Sequence, residues 1–397
     1  MKIALIHDYL FEYGGSERVV EQILRVYPQA DVFSLFDFLP QSGRAIVHGK
    51  PVQTTFLQNI PWVRRNPARY LPYLVPLMPF AVEQIDLSGY DLVLSSSHSV
   101  AKGVLTGPDQ LHIAYVHSPM RYAWDQQRDY MRSSVLRSGL KGKLGLAMLT
   151  WMRLWDTRTA NGVDQFAANS HFIARRIQKV YRREASVIYP PVDIDAFPLC
   201  EQKGAYYLVV SRMAPYKRVD LIVEAFKAMP DQRLVVIGSG PEEKPVRRAA
   251  GENVRFLGYQ SREDLARWMG GARALIQAAQ EDFGITTVEA QAAGTPVIAY
   301  HKGGAAEIVH GADDLHPTGI FFNEQTAECL TQAVHEMQAI HPDIRPQDCR
   351  LNAERFNPGR FRSEYRSLVE SAVTGFGDLN ASPIPLELPV GVQRGRE

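Results

Sequence analysis

Two glutamates with seven residues between them, Glu281 and Glu289, stand in the stretch Gln280-Glu281-Asp282-Phe283-Gly284-Ile285-Thr286-Thr287-Val288-Glu289-Ala290-Gln291-Ala292-Ala293-Gly294-Thr295-Pro296-Val297. Gly284 frees the backbone at the entry to a helix, the alanines favour helix, and Gly294 with Pro296 ends it. The spacing therefore puts Glu281 in the loop and Glu289 about a turn inside the helix. The amides of Ile285, Thr286 and Thr287 are expected free at the helix N-terminus, where dipole and unpaired donors favour a phosphate. A carboxylate beside a phosphate site suits a ligand that also carries hydroxyls, and a nucleotide sugar offers ribose, diphosphate and hexose. A surface helix with two solvated glutamates is the alternative; Phe283-Gly284 and Gly294-Thr295-Pro296-Val297 weigh against it.

Further groups fit the same ligand. Arg212 and Lys217 follow an apolar run and can converge on one diphosphate, the guanidinium as a planar fork and the ammonium as a point charge. Arg218, next in line, reads as solvated or paired. His117 follows the strand-like His112-Ile113-Ala114-Tyr115, at the strand end where α/β folds bind ligands. It could instead be a turn histidine held by Ser118 and Pro119, and His98 is a weaker rival with a structural reading. Gly14 and Gly15 sit in a loop whose amides could approach a phosphate, or form a tight turn.

The elements that must position these groups are legible. Ile3–Ile6 is a continuous apolar run, as a buried parallel strand requires. A Gly-Gly loop and a helix with apolar spacing at Val19, Val20, Ile23, Leu24 and Tyr27 follow. Asp91–Leu94, Phe166–Ala168, Tyr206–Val210, Leu234–Ile237, Val254–Leu257, Ala274–Ile276 and Val297–Ala299 read as further strands. Ser170 is a suitable N-cap for a helix from His171. Pro190-Pro191-Val192-Asp193 through Gly204 is proline-bearing and aperiodic, a linker between domains. Phe361–Val373 has helical spacing and is expected to cross back to the first domain; Pro383, Pro385 and Pro389 then break any regular element. The expected organisation is a domain at 1–198, a second at 199–356, a crossover helix at 357–375 and a flexible tail at 376–397.

These motifs resemble the signature of the family-4 retaining glycosyltransferases: Glu, seven residues, Glu, then Ala-x-Ala-x-Gly-x-Pro-Val, with Arg212 and Lys217 matching the family's diphosphate clamp. The first half is similar to a subgroup that builds bacterial surface polysaccharides, including mannosyltransferases of O-antigen and exopolysaccharide assembly. That likeness lies in His7-Asp8-Tyr9-Leu10, Tyr90-Asp91-Leu92-Val93, His117-Ser118-Pro119-Met120-Arg121-Tyr122 and Val187-Ile188-Tyr189-Pro190-Pro191-Val192-Asp193. The resemblance implies an α/β GT-B fold, two Rossmann-like doubly wound domains facing a cleft. It implies that Glu281 holds donor sugar hydroxyls and Glu289 the ribose. Arg212 and Lys217 would then neutralise the diphosphate, and His117 would reach the sugar or acceptor. Gly14 and Gly15 would face the diphosphate, Gln260 would border the base, and Phe283, Gly284, Ile285 and Thr286 would form the donor loop. His301-Lys302-Gly303-Gly304-Ala305-Ala306-Glu307 resembles a largely structural Gly-Gly-x-x-Glu turn. The implied donor is GDP-mannose and the implied acceptor a glycan, such as an oligosaccharide on a polyprenyl diphosphate. No metal cofactor is expected: Asp193-Ile194-Asp195 has metal-motif spacing but stands in the linker.

Composition bounds the rest. In 397 residues, 44 basic and 43 acidic side chains balance, so no overall field selects nucleic acid. Cys200, Cys329 and Cys349 lack metal or disulfide spacing, which fits a reducing compartment. Neither a signal peptide nor a membrane span is expected, and the location read is cytoplasmic. Two stretches, Phe56–Phe80 and Met131–Trp155, are rich in aromatics, leucines and cations (Arg64, Arg65 and Arg69; Arg132, Arg137, Lys141, Lys143 and Arg153) and hold no acid. They fit an anionic membrane surface, with Trp151 and Trp155 inserted, or else buried helices with wet basic ends. Two other function classes remain open. A nucleotide-sugar epimerase would carry more acid/base groups in the cleft; a non-catalytic sugar-binding protein would need no diphosphate clamp.

Overall fold

A computed structural model describes residues 1–127 and 139–381. The first domain is a seven-stranded parallel sheet, β1 (Ile3–His7), β2 (Asp31–Ser34), β3 (Val52–Thr54), β4 (Leu92–Ser97), β5 (Leu111–Val116), β6 (Gln165–Ala168) and β7 (Ser186–Val187), in the order β3-β2-β1-β4-β5-β6-β7. The second is a six-stranded parallel sheet, β8 (Tyr206–Val210), β9 (Arg233–Ile237), β10 (Val254–Gly258), β11 (Ala274–Gln277), β12 (Val297–Tyr300) and β13 (Gly319–Phe322), in the order β10-β9-β8-β11-β12-β13. In both sheets the order reverses between the first strand and the fourth. That crevice at the strands' carboxyl ends is where open α/β sheets bind ligands.

Helices cover both faces of the first sheet, so its central strands are apolar throughout: Ile3, Ala4, Leu5 and Ile6 are buried. β1 pairs Leu5 with Val32 on one side and Leu94 on the other. The final helix, Pro358–Ala381, returns to the first domain, where Phe361, Tyr365 and Val369 share a core with Leu5, Val19 and Tyr115. It runs past the expected end at 375 to Ala381, because Gly375 and Gly377 each cost a helix only about 1 kcal/mol and the next proline is Pro383. The residues beyond it lie outside the described part, with the tail expected there. Val192, Ile194 and Phe197 already bury in the second domain's core, so the chain enters that domain before residue 198. Cys200, Cys329 and Cys349 are free thiols.

The two acid-free stretches pack together beneath the first sheet. The first forms the helices Pro61–Arg65, Pro67–Leu74 and Met78–Glu83, the second the helix Gly139–Thr159. Leu57, Val63, Leu74 and Met78 share one core with Leu149, Met152 and Trp155. Trp62, Tyr73, Phe80, Leu144, Trp151 and Leu154 are exposed. Two surface expectations are corrected by this packing. Trp155 is buried and donates from Nε1 to Glu83 Oε1 (2.8 Å), while Arg153 Nη1 donates to the Ala123 carbonyl (2.9 Å) and Gln127 Oε1 (2.8 Å). Positions 149, 152 and 155 fall on the helix's inward face, and 144, 151 and 154 do not. Arg132 and Arg137 lie outside the described residues, as do the side chains of Arg69 and Lys141. No described helix is long and apolar enough to cross a membrane.

Candidate active site

The second domain's wall is built by the loop between β11 and the helix Ile285–Ala292. Gly284 takes φ 105°, a left-handed conformation that glycine adopts without strain. The loop is pinned from outside by the Gly303-Gly304 turn: Gly304 N–H donates to the Glu281 carbonyl (2.9 Å), and a Cβ on Gly304 would lie 2.3 Å from the Phe283 Cα. The Glu281 carboxylate is thereby held in a buried position. Its Oε1 accepts from Lys217 Nζ and from Gln277 Nε2 (3.0 Å). Burial pushes this carboxyl up, but the Lys217 ammonium, with help from Arg121, outweighs burial and holds it below the usual carboxylate range. Lys217 ends a 3-10 turn, Pro215–Lys217, and Arg218 (φ 54°, ψ 36°) swings the chain into the helix Val219–Lys227.

The first domain's wall gathers three imidazoles at the ends of β1, β4 and β5. His7, His98 and His117 have ring centroids 5.8, 6.2 and 6.5 Å apart. His117 Nε2 lies 2.8 Å from Ser96 Oγ, and its backbone N–H donates to the Ser97 carbonyl (2.8 Å). His7 Nδ1 is 3.0 Å from the Ser96 carbonyl and 3.2 Å from Ser96 Oγ; its Nε2 is 3.5 Å from Glu17 Oε1. Glu17, Ser96 and the two histidines thus form one hydrogen-bonded row. Burial works against charge on His7, but Glu17 and Asp8 outweigh it, so this imidazole's pKa is raised. Burial likewise pushes Glu17 up, yet His7 brings it down to about 2. Burial and the neighbouring imidazoles hold His117 well below the ordinary value. Asp8 sets the third imidazole: its carboxylate accepts the backbone N–H groups of His98 (2.6 Å), Ser99 (2.9 Å), Val100 (2.6 Å) and Ala101 (2.7 Å) and lies 3.1 Å from His98 Nδ1.

A cavity of about 470 Å³ separates the two walls. The structure brings His117, Lys217, Glu281, Gly15, Phe283, Gly284, Ile285 and Thr286 to it. Four expected site residues stand elsewhere. Gly14 gives its N–H to Glu17 Oε2 (3.1 Å). Gln260 folds onto its own loop, donating to the Leu257 (2.9 Å) and Tyr259 (3.0 Å) carbonyls. Glu289 is buried and accepts from Arg18 Nη1 of the first domain (2.7 Å). Arg212 is exposed and does not line this cavity. Of the three amides expected free, that of Thr287 donates to the Gly284 carbonyl (2.9 Å), because the first turn of the helix is tightened to an i→i−3 bond.

Sequence reasoning missed the contacts that join the walls. Asp282 accepts from Arg121 Nε (2.6 Å) and Arg176 Nη1 (2.9 Å), and its carbonyl accepts from Ser170 Oγ (2.6 Å). Glu307, from the Gly-Gly turn, accepts the N–H groups of His171 and Phe172 (both 2.8 Å), so the second domain caps a first-domain helix. Arg121 and Glu307 stood inside quoted motifs, but nothing in the sequence links them to partners in the other domain. Asp195 pairs with Arg350 (3.2 Å), and Asp193 pairs with Arg262. Among the described residues no cluster of three or more His, Cys, Asp or Glu is arranged to hold a metal ion.

Comparison with known proteins matches the chain in two parts. Residues 13–196 match the family model described as Glycosyltransferase Family 4, and residues 194–355 the one described as Glycosyl transferases group 1. A D-inositol 3-phosphate glycosyltransferase of a Mycobacterium strain is 30% identical over 175 residues, 38% of this chain and 40% of that protein. A GDP-mannose-dependent monoacylated alpha-(1-6)-phosphatidylinositol monomannoside mannosyltransferase of Corynebacterium glutamicum is 29% identical over 214 residues, 46% of this chain and 56% of that protein. The chain thus matches about half the length of these relatives. Among solved structures, Anabaena HepE in complex with UDP superposes with a TM-score of 0.67 at 16% identity, covering 94% of this chain and all of that one. The lipopolysaccharide outer core galactosyltransferase WaaB superposes with a TM-score of 0.61 at 17% identity, covering 94% and 99%.

Proposed function

Because the chain belongs to the glycosyltransferases of GT-B fold that join a family 4 domain to a group 1 domain, we propose that it moves a hexose from a nucleotide sugar to a glycan acceptor with retention of configuration, without a metal. The observation that supports this is the Lys217–Glu281 pair of one domain facing His117 of the other across a single cavity. Glu281, kept ionised by Lys217, would accept hydrogen bonds from the donor's sugar hydroxyls. Lys217, joined by Arg212 once a diphosphate draws it in, would stabilise the charge that develops on the leaving group. His117, held uncharged by burial, could lie against a sugar ring becoming positive without repelling it. Glu289 would take the ribose hydroxyls beside Arg18. No carboxylate stands out as a covalent nucleophile, so the departing diphosphate oxygen would take the acceptor's proton on the same face of the sugar.

We propose mannose from GDP-mannose as the donor, on the subgroup likeness and the Corynebacterium relative's name; HepE's bound UDP makes uridine sugars the comparison. The acceptor would be an oligosaccharide on a polyprenyl diphosphate, and the exposed aromatic face of the first domain would rest on the anionic leaflet that holds it. Incubation with GDP-, UDP- and dTDP-sugars without acceptor is the test. Release of free hexose and nucleoside diphosphate from one donor is expected, undiminished by EDTA. Epimerisation without release, or binding without turnover, would instead support the two other classes.

A further inference from the structure

A second cavity, of about 430 Å³, lies between the domains beyond Asp282, which lines both cavities. Chain neighbours divide between the two: Lys217 and Glu281 face the first, while Tyr216, Arg218 and Gln280 face the second. The charges of the second cavity cancel. Arg176 is bonded to Asp282 (2.9 Å) and to Asp125, and Arg218 stands 3.5 Å from Asp220. What is left is the planar amides of Gln126 and Gln280, with Gln325 held by its bond to the Ala278 carbonyl (2.7 Å), beside the rings of Phe172 and Tyr216. Gln126 lines the cavity, and its buried Oε1 has no hydrogen-bond partner among the described residues. Fixed amide and guanidinium donors beside aromatic faces, without net charge, suit a neutral polyhydroxylated ligand better than a phosphate.

Arg218 adds a second observation. It occupies the left-handed region (φ 54°, ψ 36°), where glycine is relaxed and a long side chain is strained. The arginine gives the second cavity a charged donor that glycine could not. Resting on the reading of the first cavity as the transfer site, we propose that the second cavity is a subsite for the neutral sugar chain of the acceptor, anchored by Arg218 and Gln126. The acceptor is then an oligosaccharide whose end residue reaches Lys217 and Glu281 and whose next residues lie beyond Asp282.

The test uses a glycan array of neutral di- to pentasaccharides of mannose, glucose and galactose, with their monosaccharides and phosphorylated counterparts. It is read with the full chain as wild type, Arg218→Gly and Gln126→Ala. Wild type is expected to retain neutral oligosaccharides, and each variant to retain them about tenfold less. Arg218→Gly relaxes the backbone, so its thermal midpoint should not fall; if it does, Gln126→Ala carries the test. Unchanged retention in the variants, no neutral oligosaccharide retained, or retention of phosphorylated sugars alone would overturn the proposal. Nucleotide-sugar hydrolysis by the same proteins separates the two readings. Hydrolysis with retention unchanged in the variants removes the subsite alone; wild-type retention that the variants lose, in a chain that hydrolyses no donor, removes the transferase reading and leaves a sugar-binding cavity that is no acceptor subsite.

Discussion

At the scale of single residues, the site depends on charges that hold one another in place. Lys217 neutralises Glu281 in a buried setting, so each is costly without the other. Lys217→Ala should remove leaving-group stabilisation worth a few kcal/mol and slow donor hydrolysis roughly 100-fold; near-normal turnover in a steady-state assay would remove its role. Arg212→Ala tests the other half of the proposed clamp, and a rise in donor KM is expected if this exposed side chain joins a bound diphosphate. The imidazole row makes a finer prediction. The Ser96 carbonyl can only accept, so His7 Nδ1 carries a proton, which leaves the Ser96 hydroxyl to donate to His117 Nε2 and puts the His117 proton on Nδ1. Histidine ¹⁵N spectra should show that tautomer, and Ser96→Ala should lose it along with about tenfold in turnover. The opposite tautomer in wild type would break the row.

At the scale of elements, each domain holds part of the other. The helix His171–Tyr181 has its own cap, Ser170 Oγ accepting from Ile173 N–H (3.1 Å), yet its next free amides go to Glu307 of the second domain. A carboxylate there satisfies orphan donors and meets the positive end of the helix dipole. Glu307→Ala should cost roughly 1–2 kcal/mol in denaturant unfolding and, because the contact crosses the cleft, loosen the domains. Small-angle scattering without ligand should report a larger radius of gyration. No change in either measurement would make the contact incidental.

At the scale of the whole molecule, acid acts through buried histidines. His112 is buried with Nε2 2.9 Å from Ser95 Oγ and Nδ1 3.1 Å from the Gly162 carbonyl, and burial holds its pKa at about 4. The unfolded chain takes up this proton near pH 6.5 and the folded chain only near 4. Stability should therefore fall as pH drops through that window, by on the order of 3 kcal/mol. Denaturant midpoints between pH 7 and 4 should show the fall, and His112→Gln should flatten it. The first domain's outer face invites a second measurement. Wild type should float with anionic vesicles more than with neutral ones. A variant with Lys143→Gln, Trp151→Ser and Leu154→Ser should float less; equal flotation would make this face an ordinary surface.

What the sequence determined was local. Continuous apolar runs dictated β1, β8 and β11, since strands buried on both faces have no polar side to show. Gly284 and the alanines after it dictated the loop and helix that carry Glu281, and Ser170 its own cap, because these depend on neighbours a few residues away. The tertiary structure decided which of these groups meet. It brought Lys217 to Glu281 across 64 positions and Asp282 to Arg121 across 161. It set Glu289 against Arg18, left Arg212 in solvent, and turned Trp155 inward, although sequence spacing gives none of these pairings. It also gathered His7, His98 and His117, which stand at the ends of separate strands and share no motif. Sequence fixes the period and caps of an element; which ends adjoin follows from strand order and domain approach, where partners are chosen by long-range packing and charge.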